Sequence, residues 1–384
     1  MSLDVGSCTP SDPSLIFSPN YTINPTFRDD MRGSSVPCLV DIAVNLTDCV
    51  FRGVDWKGRR VHDDNFDEVM RRAVEHNVGK IIITGTSLPQ CVKAIRLCRR
   101  YPSVLRCTVG VHPAHCAEMT RPMDWKAIEA AAEDDVSIQV PYYSAGEHSD
   151  DSLHHSDERM EKLVELVNEN RDVVVAVGEI GLDYAELSYC PKEVQREYFI
   201  QQFRVLRTLG LPFILHSRDC GMDFVELIEE EVRSWTSETP FVGVVHSYNG
   251  SPEEQERLLA IPGVYFSING SAFREKERSE QVCSIPRDRL MLETDAPWCD
   301  IRQQHYGARF LRTQFPTNRR GKPFDPTLCS ERRTEPCHLR QVLEAYVGTV
   351  RTMGEERGDA FLANITEEEA QEQFYQTCVE VFHI

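Results

Sequence analysis

No two of the chain's 14 cysteines stand in CxxC spacing, which sets aside zinc ribbons and thioredoxin-type redox pairs. No apolar run approaches the roughly 18 residues that a membrane-spanning helix needs, so no membrane partner is expected. The first residues lack the charged, apolar and small-residue zones of a secretory signal. No GxGxxG follows the first apolar run, so a dinucleotide fingerprint is missing. Positive charge is scarce: 42 Lys and Arg face 61 Asp and Glu, a net charge of -19. Such a surface repels polyanions, and a nucleic-acid substrate would require locally concentrated cations or bound metal.

What is present is a regular rhythm. Eight apolar runs of strand length alternate with segments of helical period. They are Cys38–Leu46, Lys80–Ser87, Leu105–Pro113, Val173–Asp183, Pro212–Arg218, Gly243–Gly250, Val264–Gly270 and Leu290–Trp298. Between them lie helical patterns such as 64–78, 89–100, 192–209 and 252–260. Runs such as Val173-Val174-Val175-Ala176-Val177 do not alternate with polar residues, as expected of parallel strands buried on both faces. Eight β units with intervening helices predict an α/β fold, a closed (β/α)₈ TIM barrel. An open doubly wound sheet is the alternative.

Residues 1–35, rich in Ser, Pro, Asp and Asn, are expected to form a flexible N-terminal arm. The barrel then occupies 36–384. Residues 134–160 interrupt the rhythm and predict a surface insertion, whose His148, His154 and His155 read as solvated rather than ligating. Cysteines in apolar runs, such as Cys38 and Cys107, predict buried free thiols. Reduced thiols point to an intracellular protein of the cytoplasm or nucleus. Arg28 and Arg32 are offset by Asp29 and Asp30, which leaves a weak case for a mitochondrial presequence.

Four of the apolar runs lead into a metal-ligand side chain: Glu179, His216, His246 and Asp295. The C-terminal ends of barrel strands converge on one mouth, where active sites sit. Each residue alone has an ordinary explanation, as a helix cap or a satisfied polar group. Together, on the fourth, fifth, sixth and eighth strands, they predict a mixed N/O metal site suited to Mg, Mn or Zn. His112, after the third strand, and Arg218, after the fifth, are candidate substrate contacts. Residues 302–340 carry nine cations against three anions. Arg302, Arg309, Arg312, Arg319, Arg320, Lys322, Arg332, Arg333 and Arg340 thus predict a basic rim beside the mouth, with a solvated, salt-bridged loop as the alternative.

The motifs Val177-Gly178-Glu179-Ile180-Gly181-Leu182-Asp183-Tyr184, Leu215-His216-Ser217-Arg218-Asp219, Val244-Val245-His246-Ser247-Tyr248-Asn249-Gly250 and Leu292-Glu293-Thr294-Asp295-Ala296-Pro297-Trp298 resemble those of the TatD family of metal-dependent deoxyribonucleases. Asp41–Asp48, Phe51-Arg52-Gly53, Val109–Pro113, Arg312–Thr317 and Glu335–His338 match as well. The resemblance runs from about Val40 to the C-terminus and looks closest to the eukaryotic TatD-domain branch. It implies hydrolysis of DNA phosphodiesters by metal-activated water, in a 3'-5' exonuclease mode, with Glu179 and Asp295 catalytic. It also implies two Mg²⁺ ions, with Mn²⁺ or Zn²⁺ as alternatives: Glu179 bridges them, His216 and His246 serve one, and Asp295 serves the other. The wider amidohydrolase-like group carries His-x-His at the end of the first strand, where this chain has Ala43 and Asn45. That departure leaves fewer protein ligands for the first metal. The competing activity is a small-molecule amidohydrolase or lactonase on the same barrel; a catalytically silent interaction protein is disfavoured because all four ligand types are present. No zinc finger or recognition helix is visible, so base-specific reading is not expected. No protein partner is indicated.

Overall fold

Uninterrupted Val and Ile runs form strands because β-branched side chains suit a pleated surface packed on both sides. In the computed structural model, residues 38–133, 152–236, 240–319 and 321–384 are described. The strands are β1 (Leu39–Val44), β2 (Val78–Ile83), β3 (Leu105–Val109), β4 (Val174–Asp183), β5 (Phe213–Arg218), β6 (Gly243–Val245), β7 (Val264–Ile268) and β8 (Leu290–Leu292). They pair in parallel in strict chain order to give one eight-stranded sheet, nearly closed into a barrel.

The seam between β8 and β1 closes without a regular ladder. The Asp295 amide donates to the Ala43 carbonyl (3.1 Å) and the Asn45 amide to the Ala296 carbonyl (2.8 Å). The buried Asp41 carboxylate accepts from the Thr294 amide (2.8 Å) and the Thr294 hydroxyl (2.6 Å). Burial, with the nearby charges of Glu293 and Asp295, raises the Asp41 carboxyl well above its usual range, while the bonds from Thr294 pull the other way.

Helices cover the outside: α1 (Phe66–Glu75), α2 (Leu88–Arg100), α3 (Trp125–Glu133), α4 (Ser152–Glu169), α5 (Lys192–Leu206), α6 (Met222–Val232), α7 (Pro252–Leu259) and α8 (Lys276–Cys283). After β8 come α9 (Leu339–Arg357), α10 (Ala360–Ala363) and α11 (Glu367–Phe382). One apolar cluster fills the space between strands and helices. A second fills the barrel interior, where Ile42, Ile82, Ala176, Ile214, Val244 and Met291 meet Cys378, Val381 and Phe382 of α11. The last turn of α11 therefore stoppers the N-terminal mouth of the barrel, opposite the mouth where the site lies. Each large side chain buried there contributes about 1.5–3 kcal/mol.

The eight expected strands are all present, several of them shorter than expected. β6 stops at Val245 and β8 at Leu292, so His246 and Asp295 stand just beyond their ladders. Asp295 itself adopts a left-handed backbone, φ 51°, a conformation Asp tolerates better than most residues. The expected insertion at 134–160 overlaps helix α4, in which Ser156, Arg159 and Met160 are buried. Arg159 donates to the Arg121 and Pro122 carbonyls, so these residues belong to the packed layer. Residues 1–35, His148, Arg320 and the side chains of His154 and His155 lie outside the described residues. The thirteen cysteines among the described residues are free; Cys107 is fully buried, whereas Cys38 is only partly buried. No described helix is long and apolar enough to cross a membrane.

Candidate metal centre

Glu179 does not end its strand as expected; it lies inside β4. Opposite Phe213–Leu215 of β5, β4 spends one extra residue between Val177 and Ile180. Such a bulge re-aims the side chain it carries, and here it sets Glu179 toward the C-terminal mouth. The flanking glycines are required by space. Gly178 has φ +126°, and a Cβ there would meet the Ile214 carbonyl oxygen at 2.3 Å. Gly181 has φ +149°, and its Cβ would stand 2.0 Å from the His216 carbonyl oxygen. Gly181→Ala is therefore expected to push β4 and β5 apart at His216, costing about 1–3 kcal/mol of stability and most of the metal affinity. Thermal melts beside calorimetric metal titration check this; a wild-type affinity in the variant would contradict it.

Three ligand atoms converge. Glu179 Oε1 lies 2.6 Å from His216 Nδ1 and 2.7 Å from His246 Nε2, and the two nitrogens are 3.1 Å apart. The opposite ring nitrogens face acceptors. His216 Nε2 is 3.2 Å from Asp183 Oδ2, and His246 Nδ1 is 3.6 Å from Glu293 Oε1. With those nitrogens protonated, each neutral imidazole aims a lone pair at the carboxylate oxygen. Three electron pairs at contact distance repel unless a proton or a cation sits among them. Edges near 3 Å are also the spacing of adjacent ligands around one divalent cation, given bonds of about 2.1 Å. The donor set thus fits a metal. Backing carboxylates such as Asp183 and Glu293 fix the tautomer and orientation of ligating imidazoles.

The electrostatics follow from this packing. Burial opposes charge on all three groups. For Glu179 the neighbouring His246, His112 and His216 override it and hold the carboxyl well below its usual range. For His216 the acceptors Asp183 and Glu179 override burial and raise the imidazole. For His246, Glu179 and Glu293 do the same more strongly.

Asp295 stands apart from this triangle. Its Oδ1 accepts from Asn45 Nδ2 (3.1 Å) and its Oδ2 from the Cys299 thiol (3.3 Å). Asn45 is oriented in turn by the Thr84 hydroxyl (3.0 Å). Burial pushes the Asp295 carboxyl up to about 7, His246 pulls it down, and Glu293 and Glu179 add to the rise. Asn45 therefore has a use of its own: it holds the carboxylate at the seam. Ala43 is fully buried, and its carbonyl bonds the Asp295 amide.

His112 packs into the centre, with Nε2 3.5 Å from Glu179 Oε1 and its ring 4.5 Å from that of His216. Its Nδ1 accepts from the Ala114 amide (3.1 Å), which leaves the proton on Nε2. Burial lowers its pKa to about 3, so it is a neutral donor aimed at the site. Arg218 reaches Asp183 Oδ2 and Glu186 Oε1, both at 3.5 Å, and remains half exposed at the mouth.

The arginine-rich segment is less uniformly cationic than its composition predicts. Arg333 is buried, bonded to Glu335 (2.8 Å), to Asn65 and to the Val50 carbonyl. Arg72 binds the same Glu335 carboxylate (2.7 Å), because a buried charge must be paired. Arg312 and Arg340 both bond Glu367 of α11. Arg309 lies over the Tyr306 ring at 4.3 Å. Arg302, Arg319, Lys322 and Arg332 are exposed.

Sequence reasoning gave no role to Asp183 or Glu293, although both lie in the quoted motifs. Glu293 is fully buried and accepts from the Ser267 hydroxyl (2.5 Å) and Asn269 Nδ2 (3.0 Å). A buried acid two residues before a candidate ligand was the available signal. Glu293→Gln keeps the shape and removes the charge behind His246. It is expected to weaken metal binding about 10–100-fold. Calorimetric titration with Mn²⁺ measures this, and an unchanged Kd would show that Glu293 is only structural.

The chain is similar to several known proteins. The Schizosaccharomyces pombe protein named Deoxyribonuclease Tat-D is 33% identical over 342 residues, covering 88% of this chain and 94% of that protein. The Escherichia coli protein named 3'-5' ssDNA/RNA exonuclease TatD is 28% identical over 309 residues, covering 80% and 89%. Among solved structures, a TatD family hydrolase from Entamoeba histolytica superposes with a TM-score of 0.70 at 25% identity, covering 91% of this chain and 99% of that one. The family described as TatD related DNase matches residues 40–383, and this chain belongs to it.

Proposed function

We propose that the chain hydrolyses DNA phosphodiester bonds with Glu179, His216, His246 and Asp295 as its metal-binding residues. The observation that carries this is the convergence of one carboxylate oxygen and two imidazole nitrogens within 3.1 Å of one another. Glu179, His216 and His246 would hold one cation, and Glu179 with Asp295 the second. Bound divalent cations polarise the phosphoryl group and lower the pKa of water. The protein's own groups do the rest. Asp295, held at the seam beside the triangle, would accept the proton of the attacking water as general base. Asn45 fixes the direction of that carboxylate. His112 Nε2–H is placed to donate to a phosphate oxygen, and Arg218 offers charge at the mouth.

Mg²⁺ in both positions and 3'-5' directionality are part of the proposal; the Escherichia coli relative's name supports the direction. The amidohydrolase alternative is disfavoured by the first strand, where Ala43 and Asn45 stand in place of metal ligands and Asn45 is engaged with Asp295. End-labelled single- and double-stranded DNA, incubated with Mg²⁺ and then with EDTA, tests the reading beside a panel of amides and lactones. Metal-dependent shortening from the 3' end is the expected result. Hydrolysis of amides or lactones with intact DNA would overturn it.

A further inference from the structure

Two large apolar side chains that nothing above uses are exposed beside the centre. Trp56 is 46% and Trp298 45% exposed. Their rings are stacked, with centroids 4.8 Å apart and planes 14° from parallel. Each is fixed to the active end of the barrel. The Trp298 amide donates to the Asp295 carbonyl (2.9 Å), so this ring sits one turn beyond the candidate ligand. Trp56 Nε1 donates to Asp48 Oδ2 (3.2 Å), and Asp48 Oδ1 caps the 3₁₀ turn that follows β1. The pair thus spans the seam between the loops after β1 and β8, above Asn45 and Asp295.

Stacked on each other and about half exposed, the two rings present aromatic surface to solvent on which another flat ring could lie. The surroundings say which ring. Lys57 and Arg60 are exposed on the Trp56 loop, and Arg60 donates to the Arg52 and His62 carbonyls. On the other side, Asp300 begins the lining of a cavity of about 480 Å³, to which Arg302 and Arg332 also contribute. Exposed aromatic rings with exposed cations on the same loop, beside a phosphodiester-cleaving centre, match the repeating base and phosphate of a nucleic-acid strand.

We propose that Trp56 and Trp298 form a nucleobase-stacking subsite, on which the base next to the scissile phosphate lies. This rests on the phosphodiesterase reading above. The subsite accepts any base, since every base has a π face, and it requires that base to be unstacked from its neighbour on one side.

The test uses the full chain with Mg²⁺ and a short phosphorothioate strand that resists cleavage. It carries 2-aminopurine at one end or the other, or an abasic site at the same position. Binding should quench 2-aminopurine emission, and the abasic strand should bind about ten-fold more weakly. In Trp56→Ala the quenching should vanish and the affinity ratio should fall toward one. Trp56→Phe, which keeps a ring, should retain most of the ratio. Equal binding of the two strands by the wild type, or a ratio that survives Trp56→Ala, overturns the platform. Cleavage of the unmodified strand by the wild type is measured alongside; its absence overturns the phosphodiesterase reading, and the subsite with it.

Discussion

Glu179→Gln is expected to lower kcat/KM on DNA by about three orders of magnitude or more, comparable to or beyond the loss of a transition-state-stabilising donor. The side chain keeps its shape but not its charge. Its carbonyl oxygen can still face His216 and His246, so the strands that position it should remain in place. What goes is the anion that stands between the two imidazoles. A thermal melt of the metal-free variant should therefore show a folded protein, while calorimetry shows metal binding largely lost. Single-turnover kinetics at saturating Mg²⁺ separate weak binding from slow chemistry. Near-wild-type turnover under those conditions would remove Glu179 from the centre.

Metal removal should have an equally large effect on turnover, and its effect on stability should depend on pH in a defined direction. In the metal-free protein the imidazoles of His216 and His246 are raised from 6.5. Groups raised on folding stabilise fully below their unfolded pKa, and that contribution is lost as pH climbs through the folded value. Glu179 is depressed below 4.5, so its contribution holds above that value and is lost as pH falls through the lower folded one. Above neutrality, then, the metal-free centre loses the protons that separate its lone pairs. A cation takes over that task and competes with those same protons, so its affinity rises with pH. The increase in Tm on adding Mg²⁺ or Mn²⁺ should be larger at pH 8.5 than at pH 6. A ligand at 100 times its Kd adds about 2.7 kcal/mol, which is several degrees for a domain of this size. An increment that shrinks with rising pH would contradict the assignment of these imidazoles as ligands. EDTA should abolish hydrolysis at every pH.

The barrel was legible because its strands are buried on both faces. Val174–Val177 and Lys80–Ile83 carry no alternation to confuse them with amphipathic strands, and eight such runs in order leave little choice of topology. Strand ends were less legible. The expected run Leu290–Trp298 overshoots the ladder, which stops at Leu292, where the polar residues Glu293, Thr294 and Asp295 begin. Glu179 was found because its residue type is conspicuous; its placement was not, since a bulge inside β4 breaks the two-residue rhythm by which faces are counted. The backing carboxylates were invisible for a related reason. Whether Glu293 faces His246 or solvent depends on the register of β8 against β7, which pattern alone does not set. The pairing within the basic segment was not legible because composition counts charges without their partners. Glu367 lies far along the chain from Arg312, yet it pairs with it.

The seam has a consequence for the newborn protein. Asp41 and Thr294 are 253 residues apart in the chain, and Asn45 and Asp295 are 250 apart. Contacts of such separation carry a large loop-closure cost and form late. Glu179, His216 and His246 come from neighbouring strands and can meet in a partial barrel, but Asp295 takes its place only when the last strand docks on the first. A half-folded chain could hold a cation and still lack its proton acceptor and the tryptophan pair. The arrangement would keep a potentially destructive hydrolase harmless during synthesis, with ring closure acting as its safety catch.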